Sequence, residues 1–521
     1  MSVAVAAPFR GGRTALGLIA LFVLWEGVAR ALDGAYVLAA PSEVVVYLAQ
    51  NSGLMLRALG VTLGNAAVGF VFGNLAAVLL AALAVVWPRT QGVVTGLALL
   101  VFCLPLVATG PILRVFLGPG NGPQIVLAAL AVYYTTLIPL LVGLRAAPAS
   151  WFDLVRSYGR GPFAALVHVR SFAALPYLFA GLQIAAPAAF LGAMVGEFTG
   201  AERGVGVLTI RAMRALDVPM TWALASVATA VAMAAYLAIG WIARKVLLSD
   251  PPVILAAPPM GQRRPFGALR DIALVTGAAL FTWWATLTIA GLSPFFAKGP
   301  GDVFDALVLA SDAAQTRATL IAALADTAVF LLPGYVAGLA AGAGLAILLA
   351  LLPGIAGTVM PLAIALRSVP IVTTAPLIVL LLGRGAGGTI VLVAVMVFFP
   401  TLIACLHGLA QAPGQVMDVL KSYAAGPVAR LVRVRIPAML PAFFAAARMN
   451  VPASILAVTV VEWLATGNGI GSLMAVSASV SDYDMLWSAV VLVSALSALG
   501  YGAVGLVEAR VLRIYAPEQL A

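Results

Sequence analysis

Apolar runs recur along the whole sequence, each about as long as one crossing of a lipid bilayer. In the first half they lie near 15–31, 58–87, 92–113, 123–144, 173–196 and 220–243, and in the second near 272–290, 319–352, 355–382, 388–410, 438–463 and 486–509. A transmembrane helix needs roughly 20 consecutive apolar residues. The runs therefore predict an all-α polytopic membrane protein with about twelve transmembrane helices.

Composition excludes the soluble alternatives. Hydrophobic residues make up 63% of the chain and charged residues only 9%, whereas soluble domains are about one quarter charged. The formal net charge is +10, but the basic residues stand in short clusters between the apolar runs. Basic clusters of this kind set the topology of membrane proteins. A nucleic-acid-binding protein would instead have a basic surface interleaved with aromatic residues. We expect the lipid bilayer as a partner, and no nucleic acid.

Chemistry-bearing residues are sparse. Cys103 and Cys405 lie inside apolar runs, and His168 and His407 are isolated. A membrane enzyme needs clustered histidines, cysteines or paired carboxylates, and a metal site needs ligands at defined spacing. We therefore predict no catalytic residues, no metal site, no cofactor and no enzymatic activity.

The two halves repeat each other in one register. Many residues recur in identical form 265 positions later, among them Thr62 and Thr327, Pro105 and Pro370, Ser157-Tyr158 and Ser422-Tyr423, Glu197 and Glu462, Gly204 and Gly469, and Asp217 and Asp482. Upstream the separation is 259, as for Pro41 and Pro300, so the second copy gains six residues in its first outer loop. Such a long common register indicates duplication.

An even number of helices returns the chain to the side from which it started. Two copies of six helices therefore form a parallel repeat, in which both copies have the same orientation. We predict a first domain at 1–248, a cytoplasmic linker at 249–269 around two Pro-Pro pairs, and a second domain at 270–521.

Positive charge indicates which face is cytoplasmic. Most basic residues fall on one predicted face, at Arg10/Arg13, Arg89, 145–170, Arg244/Lys245, Arg263/Arg264, 421–435 and Arg510/Arg513. Short cytoplasmic loops are enriched in Lys and Arg. Three arginines form the exception and lie on the outer face: Arg203, Arg211 and Arg214.

One enlarged loop in each copy, between its fourth and fifth helices, is cytoplasmic by this argument. Around 149–176 and 414–441, each loop reads as a short amphipathic helix followed by a basic segment, with Trp151, Leu154, Val155 and Tyr158 at helical spacing. Such a helix offers its apolar face either to a partner protein or to the lipid headgroups. Both interpretations stay open from the residues alone.

These loops resemble the cytoplasmic signature loop of bacterial ABC importer permeases, with its acidic residue, small residues, glycine and closing Leu-Pro. Each departs from that pattern in a different place: Gly159 is matched by Ala424, and Ile436-Pro437 by Ser171-Phe172. Whether both loops engage ATPases equally therefore stays open. The resemblance implies that the following residues couple to ATPase subunits: Asp153, Ser157, Tyr158, Gly159 and Gly161 in the first copy, and Asp418, Ser422, Tyr423, Gly426 and Pro437 in the second.

Further segments resemble the nitrate/sulfonate/taurine-type permeases of this class: 366–385 with its weaker partner 104–120, and 197–206 with 462–471. The chain resembles two such six-helix permeases fused in tandem. The resemblance implies a type I ABC importer subunit in a bacterial inner membrane, carrying a nitrate, sulfonate, taurine or thiamine-precursor type of solute.

The resemblance to ABC importers implies an ATPase and a solute receptor as partners, and the sequence carries no motif or long polar segment for either. A nucleotide-binding loop would read GxxxxGK[ST], and the chain contains no such sequence. We therefore expect separate ABC ATPase subunits on the cytoplasmic face and a separate periplasmic or lipid-anchored solute-binding protein. The alternative is a twelve-helix secondary transporter driven by an ion gradient, but such proteins concentrate charge between helices two and three, which is a short loop here.

Ionisable residues inside spans are candidates for the translocation pathway, because charge is costly in a membrane. Arg367 and Arg448 are deep in their predicted helices, and their first-copy equivalents are Phe102 and Gln183. The arginines either attract a small anion or polar solute or bridge backbone carbonyls at the kinks near Pro370 and Pro452. Glu197 and Glu462, at the outer helix ends, are either gate or receptor contacts or solvated helix ends.

Overall fold

The computed structural model describes residues 22–32, 38–247, 265–352 and 385–515, and within these ranges it contains helices and no β-strand. A helical stretch at 22–31 precedes the numbered helices of the first half: α1 (Pro41–Gln50), α2 (Ser52–Val86), α3 (Gln91–Phe102), α4 (Leu106–Leu117), α5 (Gly122–Gly143), α6 (Ala149–Ser157), α7 (Ser171–Phe198), α8 (Val205–Ala215) and α9 (Val218–Val246). The second half contains α10 (Pro265–Ala290), α11 (Pro300–Phe304), α12 (Ala313–Leu351), α13 (Ala386–Ala410), α14 (Gly414–Ser422), α15 (Ile436–Val461), α16 (Ile470–Ser479) and α17 (Tyr483–Tyr515).

Nine helices in the described ranges are long and apolar enough to cross a membrane, and a bent pair of helices, Pro88–Phe102 with Leu106–Leu117, makes a tenth candidate. These ten spans coincide with ten of the predicted apolar runs. The run at 355–382 lies outside the described residues, and of the run at 15–31 only 22–31 is described. The all-α polytopic fold predicted from the sequence is confirmed.

The third span of the first half is broken, although the sequence predicts one run at 92–113. Helix α3 ends at Phe102 and α4 begins at Leu106, with a bend of 96° between them. Pro105 stands immediately before α4 in an extended conformation. Proline lacks a backbone N–H and disfavours helix at the preceding residue, so the chain changes direction here.

Each half packs around its fourth span in the same way. In the first half α5 packs between α2 and α7, and in the second α13 packs between α12 and α15. Glycines allow α2 to approach α5 closely, and α12 to approach α13. A methyl group on Gly73 would lie 2.6 Å from the Ala129 carbonyl oxygen, and one on Gly338 would lie 2.5 Å from the Ala394 carbonyl oxygen. In lipid, where helices gain little from hydrophobic association, such small-residue contacts are a main source of packing energy.

The halves contact each other through the bent pair and the ends of the fifth spans. Helix α3 packs against α10, and α4 packs against α15, α16 and α17. Residues from both halves share one buried cluster that includes Val107, Val195 and Phe198 from the first and Val458 and Val461 from the second. The two duplicated bundles therefore share buried apolar clusters where they meet.

We expect Gly73→Leu or Gly338→Leu to force the second and fourth spans of the affected half apart. Overpacking of a close contact costs about 1–3 kcal/mol, so the thermal unfolding midpoint of the detergent-solubilised protein should fall. Gly64→Leu is the matched control, since Gly64 lies in the same helix with open space around it. Equal effects of Gly64→Leu and Gly73→Leu would contradict the close-packing explanation.

Candidate functional site

The two enlarged loops fold into matching helices. Helix α6 begins after Pro148 and ends at Ser157, and α14 begins after Pro413 and ends at Ser422. Both end in the same capping motif. In α6 the Gly159 N–H donates to the Arg156 carbonyl (2.8 Å) and the Arg160 N–H to the Val155 carbonyl (3.2 Å). This Schellman motif satisfies carbonyls that a helix end would leave free.

The second loop keeps this motif without the glycine. The Ala424 N–H donates to the Lys421 carbonyl and the Ala425 N–H to the Leu420 carbonyl, both at 2.9 Å. The motif requires a left-handed residue, and φ is 67° at Gly159 and 53° at Ala424. A non-glycine residue there costs roughly 1–2 kcal/mol. The departure from the family pattern at Ala424 therefore leaves the loop's shape unchanged.

The predicted coupling residues lie on the outside of these helices. Tyr158 is 75% exposed and Tyr423 is 81% exposed. Each helix carries an exposed ion pair one turn apart: Asp153 with Arg156 at 3.5 Å, and Asp418 with Lys421 at 2.8 Å. The hydrogen bond and charge from Lys421 hold the pKa of Asp418 below its usual value.

The remaining loop residues shape the chain rather than its surface chemistry. The Ser157 hydroxyl donates to the Leu154 carbonyl (2.8 Å), as the Ser422 hydroxyl does to Val419 (2.7 Å). Gly161 and Gly426 precede the short helical turns Pro162–Ala165 and Pro427–Arg430, and Pro437 is the second residue of α15. All ten predicted positions therefore belong to two equivalent loop structures.

Both loops lie on the same face of the bundle. Helix α7 has 28 residues and α15 has 26, so each is about 40 Å long, sufficient to cross a bilayer. Each begins beside its loop, and their far ends meet, with the rings of Phe198 and Trp463 stacked edge to face at 6.1 Å. Because the far ends coincide, the near ends and their loops share the opposite face.

A buried polar cluster fixes the outer end of the first half. Glu197 is 1% exposed, and its Oε1 accepts a hydrogen bond from the Thr62 hydroxyl (2.7 Å) while its Oε2 accepts one from the Gly206 N–H (2.7 Å). The Thr62 oxygen also accepts the Val205 N–H (2.9 Å). Val205 and Gly206 are the first residues of α8, so side chains from two other helices cap its N-terminus.

The second half repeats this cluster with one difference. Glu462, which is fully buried, accepts the Gly471 N–H at 2.8 Å, and Thr327 accepts the Ile470 N–H at 2.9 Å. The Thr327 hydroxyl, however, donates to the Ala323 carbonyl (3.0 Å), and the Glu462 Oε1 has no hydrogen-bond partner among the described residues.

Glycine is needed beside both carboxylates. Gly204 and Gly469 have φ values of 137° and 88°, and a Cβ on either would collide with the glutamate side chain. The interpretation of Glu197 and Glu462 as solvated helix ends does not fit this burial. Their role in the translocation pathway stays a prediction.

Glu197→Ala should destabilise the first half, because it leaves the Gly206 N–H without its acceptor and removes the shorter of the two hydrogen bonds of the Thr62 hydroxyl, whose other acceptor is the Ala58 carbonyl. Unsatisfied buried polar groups cost about 1–3 kcal/mol each, so the thermal midpoint in detergent should fall clearly. Glu202→Ala serves as the control, since Glu202 is exposed on the same loop. A Glu197→Ala midpoint equal to that of Glu202→Ala would argue against a structural role.

The predicted pathway residue Arg448 forms an ion pair that the sequence analysis did not anticipate. Its Nε lies 3.0 Å from Oε2 of Glu508 in α17, and both side chains are largely buried. Its guanidinium also lies over the Tyr501 ring, 5.6 Å from the centroid. The sequence indicated two roles for Arg448, attraction of an anion or polar solute and bridging of backbone carbonyls, and neither involves a glutamate partner. Arg367, the other candidate, lies outside the described residues.

The first half lacks both charges at the equivalent positions. Gln183 corresponds to Arg448, and Ala243 corresponds to Glu508. Gln183 packs over Gly240, and Arg448 lies beside the equivalent Gly505. The simultaneous departure of both positions from the repeat was the sequence signal that could have identified Glu508 as the partner.

Aromatic residues of the first half lie close to this ion pair. Phe102, the equivalent of Arg367, stacks on Tyr134 with ring centroids 4.2 Å apart. The Tyr134 hydroxyl interacts with Tyr501 of the second half. Where the halves meet, the first half therefore contributes the aromatic residues Phe102 and Tyr134. The second half contributes Tyr501 and, next to it, the Arg448–Glu508 ion pair.

Single removal of either ion-pair partner should destabilise the protein more than removal of both. Arg448→Gln leaves an uncompensated buried carboxylate, which costs about 3 kcal/mol. Arg448→Gln with Glu508→Ala reproduces the first-half residues and should recover most of that loss. A double-mutant cycle on thermal stability measures the coupling, and additive effects would show that the two residues act independently.

Comparison with known proteins connects both halves to one family. The profile of the family described as "Binding-protein-dependent transport system inner membrane component" matches twice, at residues 69–247 and 334–513. Together the matches cover more than half of the chain, and each lies within one of the two duplicated halves.

Individual relatives match about one half of the chain. The "Probable ABC transporter permease protein" of Haemophilus influenzae is 28% identical over 230 residues, which are 44% of this chain and 94% of the relative. The formylaminopyrimidine transport permease protein ThiX of Halalkalibacterium halodurans is 26% identical over 209 residues, 40% of this chain and 84% of the relative. The taurine transport system permease protein TauC of Escherichia coli is 25% identical over 214 residues, 41% and 78% respectively. A relative of single-permease length therefore matches one half.

Proposed function

The chain belongs to the family of binding-protein-dependent transport system inner membrane components, with two permease domains in tandem, and from this premise we propose that it forms the complete translocation pathway of an ATP-driven importer. It is a multi-pass inner-membrane protein and an ABC transporter permease. We further propose that separate ATPase subunits supply the energy and that a separate receptor delivers the solute. We place the first permease domain at 1–248, the linker at 249–269 and the second permease domain at 270–521.

Coupling to separate ATPase subunits is supported chiefly by the pair of matched loops on one face. Each offers an exposed tyrosine next to an acid–base ion pair. Exposed aromatic side chains surrounded by apolar ones are typical anchors of protein interfaces. Trp151 and Leu154 extend this surface in the first loop, as Val416 and Val419 do in the second. We assign one ATPase subunit to each loop.

The retained shape of the second loop favours engagement of both ATPases. Gly159 and Ala424 adopt the same left-handed conformation, and both capping motifs have the same hydrogen bonds. The sequence departure at Ala424 thus gives no structural reason for unequal docking. ATP-driven closure of the partners would move both loops together and rock the two halves, exposing the pathway alternately to each face.

The solute we propose is small and polar or anionic. The names of the relatives refer to formylaminopyrimidine, riboflavin, taurine and aliphatic sulfonates. Arg448 with its Glu508 partner, and Tyr134 and Tyr501 nearby, provide polar groups where the halves meet. Because Glu508 neutralises Arg448, we expect hydrogen bonding to contribute more to solute passage here than net positive charge does. A separate solute-binding protein would deliver the solute from outside.

Tyr423→Ala or Asp418→Ala should lower solute-stimulated ATP hydrolysis of the assembled complex by about tenfold or more, as loss of an interface anchor does. Membrane insertion should be unaffected, because both side chains are exposed. Tyr515→Ala is the matched control: this tyrosine is also exposed, at the end of α17. Unchanged hydrolysis in both test variants would contradict the coupling role. Uptake driven by an ion gradient in vesicles that contain this chain alone would instead indicate a secondary transporter.

A further inference from the structure

Helices α8 and α16 are equivalent elements on the outer face, and both lie where the halves meet. Ile210 of α8 packs against the cluster that contains Val107, Val458 and Val461. Met474 of α16 packs with Ala108 of α4 in a second cluster shared between the halves. The outward surfaces of these two helices therefore flank the centre of the outer face rather than its lipid-facing rim.

The outward surface of the first half is basic. Three exposed arginines lie there, Arg203, Arg211 and Arg214, together with one exposed glutamate, Glu202. The equivalent positions in the second half carry no charge: Asn468, Val476 and Ser479. The basic surface thus belongs to one half only.

The outward surface of the second half is acidic. Asp305, Asp312 and Asp484 are exposed there, together with one exposed arginine, Arg317, whose guanidinium donates to the Leu307 carbonyl. Val46 stands at the position equivalent to Asp305, and Pro219 at that of Asp484. Lys298 pairs with Asp484 at 3.1 Å, but this aspartate side chain remains 54% exposed. Acidic residues that serve as helix caps, such as Asp217 and Asp482, occur in both halves and do not contribute to the difference.

A two-lobed ligand on this face would meet a basic surface on the first half and an acidic one, at other positions, on the second. Complementary charge steers encounter and penalises the wrong arrangement, while adding less to affinity. Without the charge difference, the internal duplication would present two similar docking orientations. The difference makes those orientations unequal in energy.

We propose that the outer face selects a single docking orientation of the soluble solute receptor, with an acidic receptor surface over α8 and a basic one over Asp305 and Asp484. The inference rests on the proposed function, since it names the surface chemistry of the receptor proposed there. The central position of α8 favours a protein over anionic lipid headgroups as the occupant.

The test uses the full complex of this chain with its ATPase subunits in lipid nanodiscs, and as probe the soluble protein that stimulates its ATP hydrolysis. Arg211→Glu with Arg214→Glu, or Asp305→Lys with Asp484→Asn, should raise the concentration for half-maximal stimulation about tenfold at low salt. The effect should shrink at high salt, because exposed charges are screened. Arg89→Glu, an exposed arginine on the inner face, is the control and should have no effect.

Orientation is read by photo-crosslinking from Leu216 and from Ser481, which are equivalent exposed positions at the ends of α8 and α16. We expect the two positions to crosslink to different lobes of the probe, each to one lobe only. Equal crosslinking of both lobes from each position, or crosslinking to lipid alone, would overturn the inference. Stimulation unaffected by the charge reversals would overturn it while leaving the proposed function intact. If no soluble protein stimulates hydrolysis, the proposed function fails and the inference fails with it.

Discussion

A buried carboxylate that accepts a hydrogen bond from a helix N-terminus organises each half of this protein. Glu197 reaches the first turn of α8, and Glu462 reaches that of α16. The free N–H groups of a helix start carry partial positive charge and cannot remain unpaired in an apolar interior. The contact therefore fixes the short outer helix to the end of the long fifth span. Since the other end of that span begins beside the enlarged loop that we predict to be cytoplasmic, one continuous element joins the two faces of the bundle.

Much of this arrangement could be predicted from the sequence. Apolar runs predicted the spans, and the register of the repeat predicted two equally oriented halves with matching loops at 149–176 and 414–441. The same register contained Thr62, Glu197 and Gly206 as separate matches without revealing that they meet. Their contact joins residues 135 and 9 positions apart, and no local pattern reports such a distance. The bend before Leu106 was also missed, because hydropathy alone does not distinguish a straight apolar run from a broken one.

How the two halves differ at a position depends on whether that position is buried or exposed to water. Inside the bundle, Arg448 and Glu508 occur together in one half and are replaced together by Gln183 and Ala243 in the other. A lone buried charge is costly where water cannot solvate it, so the pair is retained or lost as a unit. In the loop, Ala424 replaces Gly159 alone. That change costs only local backbone strain, which the capping hydrogen bonds present in both loops accommodate.

On the outer face the three arginines of the first half form no ion pair with the described residues, although the acidic difference at Asp484 is paired with Lys298. Arg211 stands against Val476, and Arg214 against Ser479, with no compensating change beside them. Water and salt screen exposed charges, so such a substitution costs the fold little. An unpaired exposed charge is therefore free to vary with what the surface must bind, whereas a buried one is constrained by its partner. By this reasoning, the interior differences between the halves report on folding, and the differences on the outer surface report on recognition.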